Sequence, residues 1–243
     1  MGMRRDGQAS RRDLLAGAAA ATFLGGVAAA EDAPVNHVVL LGDSVFDNGA
    51  YVGGGPDVVA QLRQRLPRGW QASLAARDGG RMEDMPQQLR AMPAGASHLV
   101  ISVGGNDALA HAGIFEEAAG SVGDALLQVA AVRQDFEAAY RAMLDQAQAL
   151  GLPVAVCTIY DTAYREPRRT LAVTALAVLN DAITRQAFRR GLPLVDLRLV
   201  CDEAADFANP IEPSVQGGGK IARAITTMLA GHDFGRGRAA VYL

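Results

Sequence analysis

Ser44 lies in the stretch VVLLGDSVFDNG, directly after an apolar run that stops at Gly42 and between the acids Asp43 and Asp47. Its hydroxyl is a candidate nucleophile. A serine does not attack an ester or amide at neutral pH, however, unless a neighbouring base takes its proton. Four histidines could supply that base: His37, His98, His111 and His232. A second polar, glycine-rich stretch, VGGNDALAH, carries Gly104, Gly105, Asn106, Asp107 and His111. Metal chemistry has no support. Cys157 and Cys201 stand 44 residues apart, neither lies in a CxxC pair, and no histidine cluster has zinc spacing.

The elements that must position these residues are legible from Ala33 onward, where short β-type runs alternate with amphipathic stretches. The pattern predicts strands over 37–41, 71–76, 98–103, 153–159 and 193–197. Helices are expected over 56–66, 83–91, about 124–149, about 168–190 and 217–230. In ALGLPVAV and RRGLPLVDL a helix is expected to end at Gly151 or Gly191, with a proline leading into the next strand. The alternation predicts an α/β domain of three layers, α/β/α, around a five-stranded parallel sheet of flavodoxin-like order 2-1-3-4-5. Such a sheet switches direction between strands 1 and 3 and binds ligands at their carboxyl ends. Ser44 follows strand 1 and Asn106 follows strand 3, so both belong to one rim. His37 and His98 begin those same strands. Seven extended residues put His37 roughly 23 Å from Ser44, at the opposite end of the sheet. Tyr160 and Asp161, after strand 4, point to the same rim as Ser44.

Composition narrows the classes. The first thirty residues combine a basic start, an apolar stretch from Leu14 and the small residues Ala28, Ala29 and Ala30. That layout predicts a signal peptide over 1–30, with cleavage after Ala30 and a single domain over 31–243. Arg11-Arg12, set in SRRDLL, resembles the twin-arginine signal of bacteria, so a periplasmic or secreted protein is expected. An oxidising compartment would permit a Cys157–Cys201 disulfide, and two buried thiols are the equal alternative. The segment carries four Arg and two Asp, so the net charge of −3 becomes −5 without it. No basic stripe interleaved with aromatics remains, which argues against nucleic acid. No other long apolar run exists, so stable membrane insertion after cleavage is not expected.

GDSVFDN after the first strand and GGND after the third resemble the first and third sequence blocks of the SGNH/GDSL hydrolases. That resemblance implies a serine nucleophile, Ser44, and an oxyanion hole made of the Ser44 N–H, a glycine and an asparagine. The residues support these roles. Gly42 permits a tight turn that presents Ser44, and Asn106 carries a side-chain donor worth roughly 3–4 kcal/mol at comparable sites. The family's spacing places the glycine at Gly79, in ARDGGRMED. Asp43 and Asp47 are expected to shape the turn, Asp107 to cap a helix, and YVGGGPD (51–57) to form a flap.

The resemblance breaks at the last block, normally Asp-x-x-His-Pro. Aligning FANPIEPSVQGGGKIA on it puts Asn209 in the aspartate place and Glu212 in the histidine place. Glu212 is then the leading base, with His111 second. A carboxylate is the weaker base by its reference pKa, but burial beside Pro210 and Pro213 raises it. The competing reading makes Glu212 a structural acid bonded to backbone N–H groups at the start of the last helix. Asp202, Glu203 and Asp206 read as a solvated loop face. The functional expectation is an exported esterase without a cofactor, cleaving a small ester or acyl group through an acyl-enzyme on Ser44. The rival expectation is a non-catalytic acyl- or carbohydrate-binding protein on the same scaffold.

Overall fold

Side chains alternate across a strand, so a strand with no polar positions must be covered on both faces. The first strand, β1 (Asn36–Gly42), is buried from Val38 to its end. Its side chains divide between two cores. Val38 and Leu40 pack on one side with Val58, Leu62, Ile221 and Met228, from helices α1 (Val58–Arg65) and α7 (Val215–Gly231). Val39 and Leu41 pack on the other with Met85, Phe136, Tyr140 and Ile183. Those residues come from α2 (Met85–Arg90), α4 (Val122–Gln148) and α5 (Arg168–Arg189). The result is the expected three-layer α/β/α arrangement. The computed structural model describes residues 36–243; the expected signal peptide and its cleavage point lie outside them.

The sheet has six strands rather than five, in the order β2-β1-β3-β4-β5-β8. Four are β2 (Trp70–Leu74), β3 (His98–Ser102), β4 (Val154–Cys157) and β5 (Leu194–Val195). The sixth, β8 (Val241–Tyr242), lies parallel to β5. Two residues carry no periodicity, so the sequence pattern could not announce it. A separate antiparallel pair, β6 (Phe207–Asn209) and β7 (Glu212–Pro213), also went unforeseen. So did the short helices α3 (Gly105–Ala110) and α6 (Leu197–Val200).

β1 and β3 pair in register, with Gly42 opposite Ser102. Gly42 has φ +126°, and a Cβ there would lie 1.7 Å from the Ser102 carbonyl oxygen. Only glycine fits this close approach. The chain turns immediately afterwards: Phe46 and Asp47 both donate their N–H to the Asp43 carbonyl, each at 3.1 Å. That turn carries Ser44.

Candidate active site

Ser44 is 7% exposed and lines a cavity bounded by the turn after β1, the start of α3, and the sides of α4 and α5. Asn106 and Glu212 line the same cavity. Glu212 is 5% exposed, and its Oε2 is buried with no partner among the described residues. Burial raises its pKa to about 7; the nearby Ser44 hydroxyl pulls it down and the charge of Asp78 pushes it further up. A carboxyl in that range takes a proton far more readily than an exposed glutamate.

Glu212 is held in place from three directions. Asn209 Oδ1 accepts the N–H of Ile211 at 3.0 Å and of Glu212 at 3.1 Å, closing the tight β6–β7 turn. The Tyr160 hydroxyl donates to the Ile211 carbonyl. Asn48, fully buried, donates through Nδ2 to the Pro213 carbonyl at 3.1 Å and accepts the Val58 N–H at 3.0 Å. The start of α7 does not use Glu212 at all, because Ser214 Oγ accepts the N–H groups of Gln216 and Gly217.

Among the described residues the Ser44 N–H has no partner. The Asn106 amide donates to the Gly80 carbonyl at 3.1 Å, which uses one of its two N–H bonds and leaves one for the cavity. Gly79 lines a neighbouring depression with Arg77, Asp78 and Gln87. Its loop is nevertheless attached to the nucleophile turn, through Arg77 N–H to the Gly42 carbonyl and Asp78 N–H to Asp47 Oδ2.

The histidines separate as the strand lengths required. His37 bonds Ser73, His98 stacks against Trp70, and His232 bonds the Tyr242 hydroxyl. His111 lines the α3 side of the Ser44 cavity. Asp43 shapes the turn, accepting the Val45 N–H at 3.1 Å. Complete burial lifts its carboxyl to about 7, with the charges of Glu212 and Asp107 adding to the rise. Asp107 is not the N-cap of α3, a position held by Gly104. It instead accepts the Met82 N–H and faces Arg81 at 3.6 Å.

One other expectation is corrected by burial. Asp206 is not on a solvated face: it is fully buried and paired with Lys220 at 2.8 Å, and Lys220 also reaches Asp202 and Glu203. The glycine-rich segment after the nucleophile turn abuts α7, where a Cβ on Gly55 would meet Val215 at 2.7 Å. Cys157 and Cys201 are buried free thiols.

Three clamping residues were not foreseen: Asn48, Gln88 and Asn180. The Gln88 amide exchanges two 2.7 Å bonds with the N–H and carbonyl of Gly42. The Asn180 amide does the same for Ile159, both at 2.8 Å. A polar amide standing beside the apolar positions Met85 and Leu89, or Leu179 and Ile183, was the available signal.

The GDSL-like Lipase/Acylhydrolase family model matches residues 40–218, a stretch that contains Ser44, Asn106 and Glu212. No curated protein matches the chain. Similar solved structures include an extracellular lipase from Streptomyces rimosus, 18% identical over 82% of this chain and 100% of that chain, with TM-score 0.57. A phospholipase A1 from Streptomyces albidoflavus is 16% identical, over 82% of this chain and 100% of that one, with TM-score 0.56. An acetylxylan esterase from Geobacillus stearothermophilus is 16% identical, over 83% and 98%, with TM-score 0.53. At these identities the likeness is one of fold.

Proposed function

Starting from the chain's membership of the GDSL-like lipase/acylhydrolase family, we propose that it is an exported serine esterase with Ser44 as nucleophile and Glu212 as base. The observation that carries this reading is that Ser44, Asn106 and a buried Glu212 carboxyl line one cavity.

In the first step Glu212 takes the Ser44 proton as Oγ attacks the ester carbonyl carbon. The negative oxygen that forms is met by the free Ser44 N–H and the second Asn106 N–H. The C–O bond to the alcohol then breaks, and the alcohol oxygen takes the proton from Glu212. Water repeats the sequence on the acyl-Ser44 ester: Glu212 accepts its proton, the acid leaves, and Ser44 recovers its hydrogen. No cofactor enters this cycle.

A fluorophosphonate probe and short p-nitrophenyl esters test the reading. Labelling and turnover by the wild type, both lost in Ser44→Ala, are expected. Absence of both in the wild type would favour the binding protein instead. Export rests on residues 1–30 alone: fused to a reporter, that segment should direct it out of the bacterial cytoplasm, and Arg11→Lys with Arg12→Lys should retain it there.

A further inference from the structure

The cavity beside Ser44 is lined unevenly. Asp43, Asn106 and Glu212 gather around the serine, whereas the wall built from α3, residues 112–116, α4 and α5 presents Ile114, Val129, Val132, Leu176 and Leu179. These positions recur at helical spacing on α4 and α5, so one apolar stripe of each helix forms the wall. Ala172 and Ala175 also face it, and their small side chains leave the space open. Leu109 and Phe115 continue the apolar lining to the exposed mouth.

The size and chemistry of this wall select an occupant. The cavity holds about 130 Å³. An apolar cavity of about 150 Å³ takes up benzene, so an aliphatic chain of about six carbons fits here. Most hydroxyls of a sugar would lie against valine, isoleucine and leucine, which offer no hydrogen bond and make the burial unfavourable; His111, Thr162, Tyr164 and Arg168 are polar groups in the same lining. Orientation follows from the catalytic reading above, on which this inference rests. Glu212 must protonate the leaving alcohol, so the alcohol departs on the side of the exposed turn at Asn209 and Pro210. The acyl chain is the part that lies against the apolar wall.

We propose that the α3–α4–α5 wall is an acyl-chain subsite that selects esters of straight-chain acids of about six carbons over acetyl esters. Each buried methylene contributes about fourfold to kcat/KM. A hexanoyl ester, with four more methylenes, should therefore exceed the acetyl ester by about 200-fold.

The test is a series of p-nitrophenyl esters from acetyl to decanoyl, run beside a series of alkyl acetates. A preference that climbs along the acyl series and stays flat along the alcohol series is expected. Ala175→Phe, which fills the wall from a partly exposed helix position, should lower the hexanoyl-to-acetyl ratio by about tenfold or more. A flat acyl series, or a preference that follows the alcohol, overturns the subsite. Binding of acetamide and hexanamide to Ser44→Ala reads the wall without chemistry. Tighter hexanamide binding in a protein whose wild type turns over no ester would sink the hydrolase reading and sustain the subsite. Equal binding of the two amides overturns the subsite whatever the turnover.

Discussion

The burial that brings Glu212 against the Ser44 hydroxyl also raises its carboxyl to about 7, and this has two measurable consequences. The unfolded chain releases that proton near 4.3, so between roughly pH 4.5 and 7 the native state binds the extra proton. Stability contributed by this group therefore falls as pH rises through that window and reaches its minimum above 7. Glu212→Gln should be more stable than the wild type by about 2–3 kcal/mol at pH 8 and equal to it near pH 4, as urea unfolding would reveal. Catalysis has the opposite sign, since only the ionised carboxylate accepts a proton. Turnover should rise through about pH 7 and level off above it. Glu212→Gln should lower kcat by about 10²–10⁴ with KM little changed. Turnover that survives this substitution and is lost in His111→Ala would transfer the base to His111.

The pieces that carry Ser44 and Glu212 come from distant parts of the chain and are joined by buried amides. Asn48 ties the nucleophile turn and the start of α1 to Pro213, next to Glu212. Asn48→Ala leaves the Val58 N–H and Pro213 carbonyl buried without partners, at about 1–3 kcal/mol each. It should lower kcat more than it raises KM, because it loosens the base relative to the nucleophile. Lys220 plays the corresponding part for the β6–β7 pair, holding the fully buried Asp206 at 2.8 Å against α7. A Cβ on Gly217 would stand 2.1 Å from the Asp206 carbonyl oxygen, so the two segments are in direct backbone contact. Lys220→Met strands a buried carboxylate and should destabilise the protein by about 3–5 kcal/mol, read as a lowered denaturation midpoint.

The sheet closes one edge with the last residues of the chain. β8 covers β5 through Leu194 N–H to the Ala240 carbonyl and Asp196 N–H to the Tyr242 carbonyl, and Tyr242 also bonds His232. The site lies at the ends of β1 and β3, on other strands. Removing residues 239–243 should therefore lower Tm by about 4–8 °C, for a loss of about 2 kcal/mol, and leave kcat at 25 °C unchanged. A lost kcat with intact secondary structure would show that this edge is coupled to the site.

What the amino-acid sequence determined by itself is what local rules control. Strand and helix positions follow from periodicity, and the joining of Ser44 and Asn106 at one rim follows from the order of strands 1 and 3. The distance of His37 and His98 from Ser44 follows from strand length alone. The tertiary structure alone decided how the distant segments meet. It brought Glu212 into the cavity that Ser44 lines, buried Asp206 against Lys220 and added β8. Each of those outcomes depends on which groups lose water together when separate elements pack, over 168 residues for Ser44 and Glu212 and over 14 for Asp206 and Lys220, or on a two-residue pairing. Neither leaves a periodic trace, because burial belongs to the packed assembly of elements and not to any one of them.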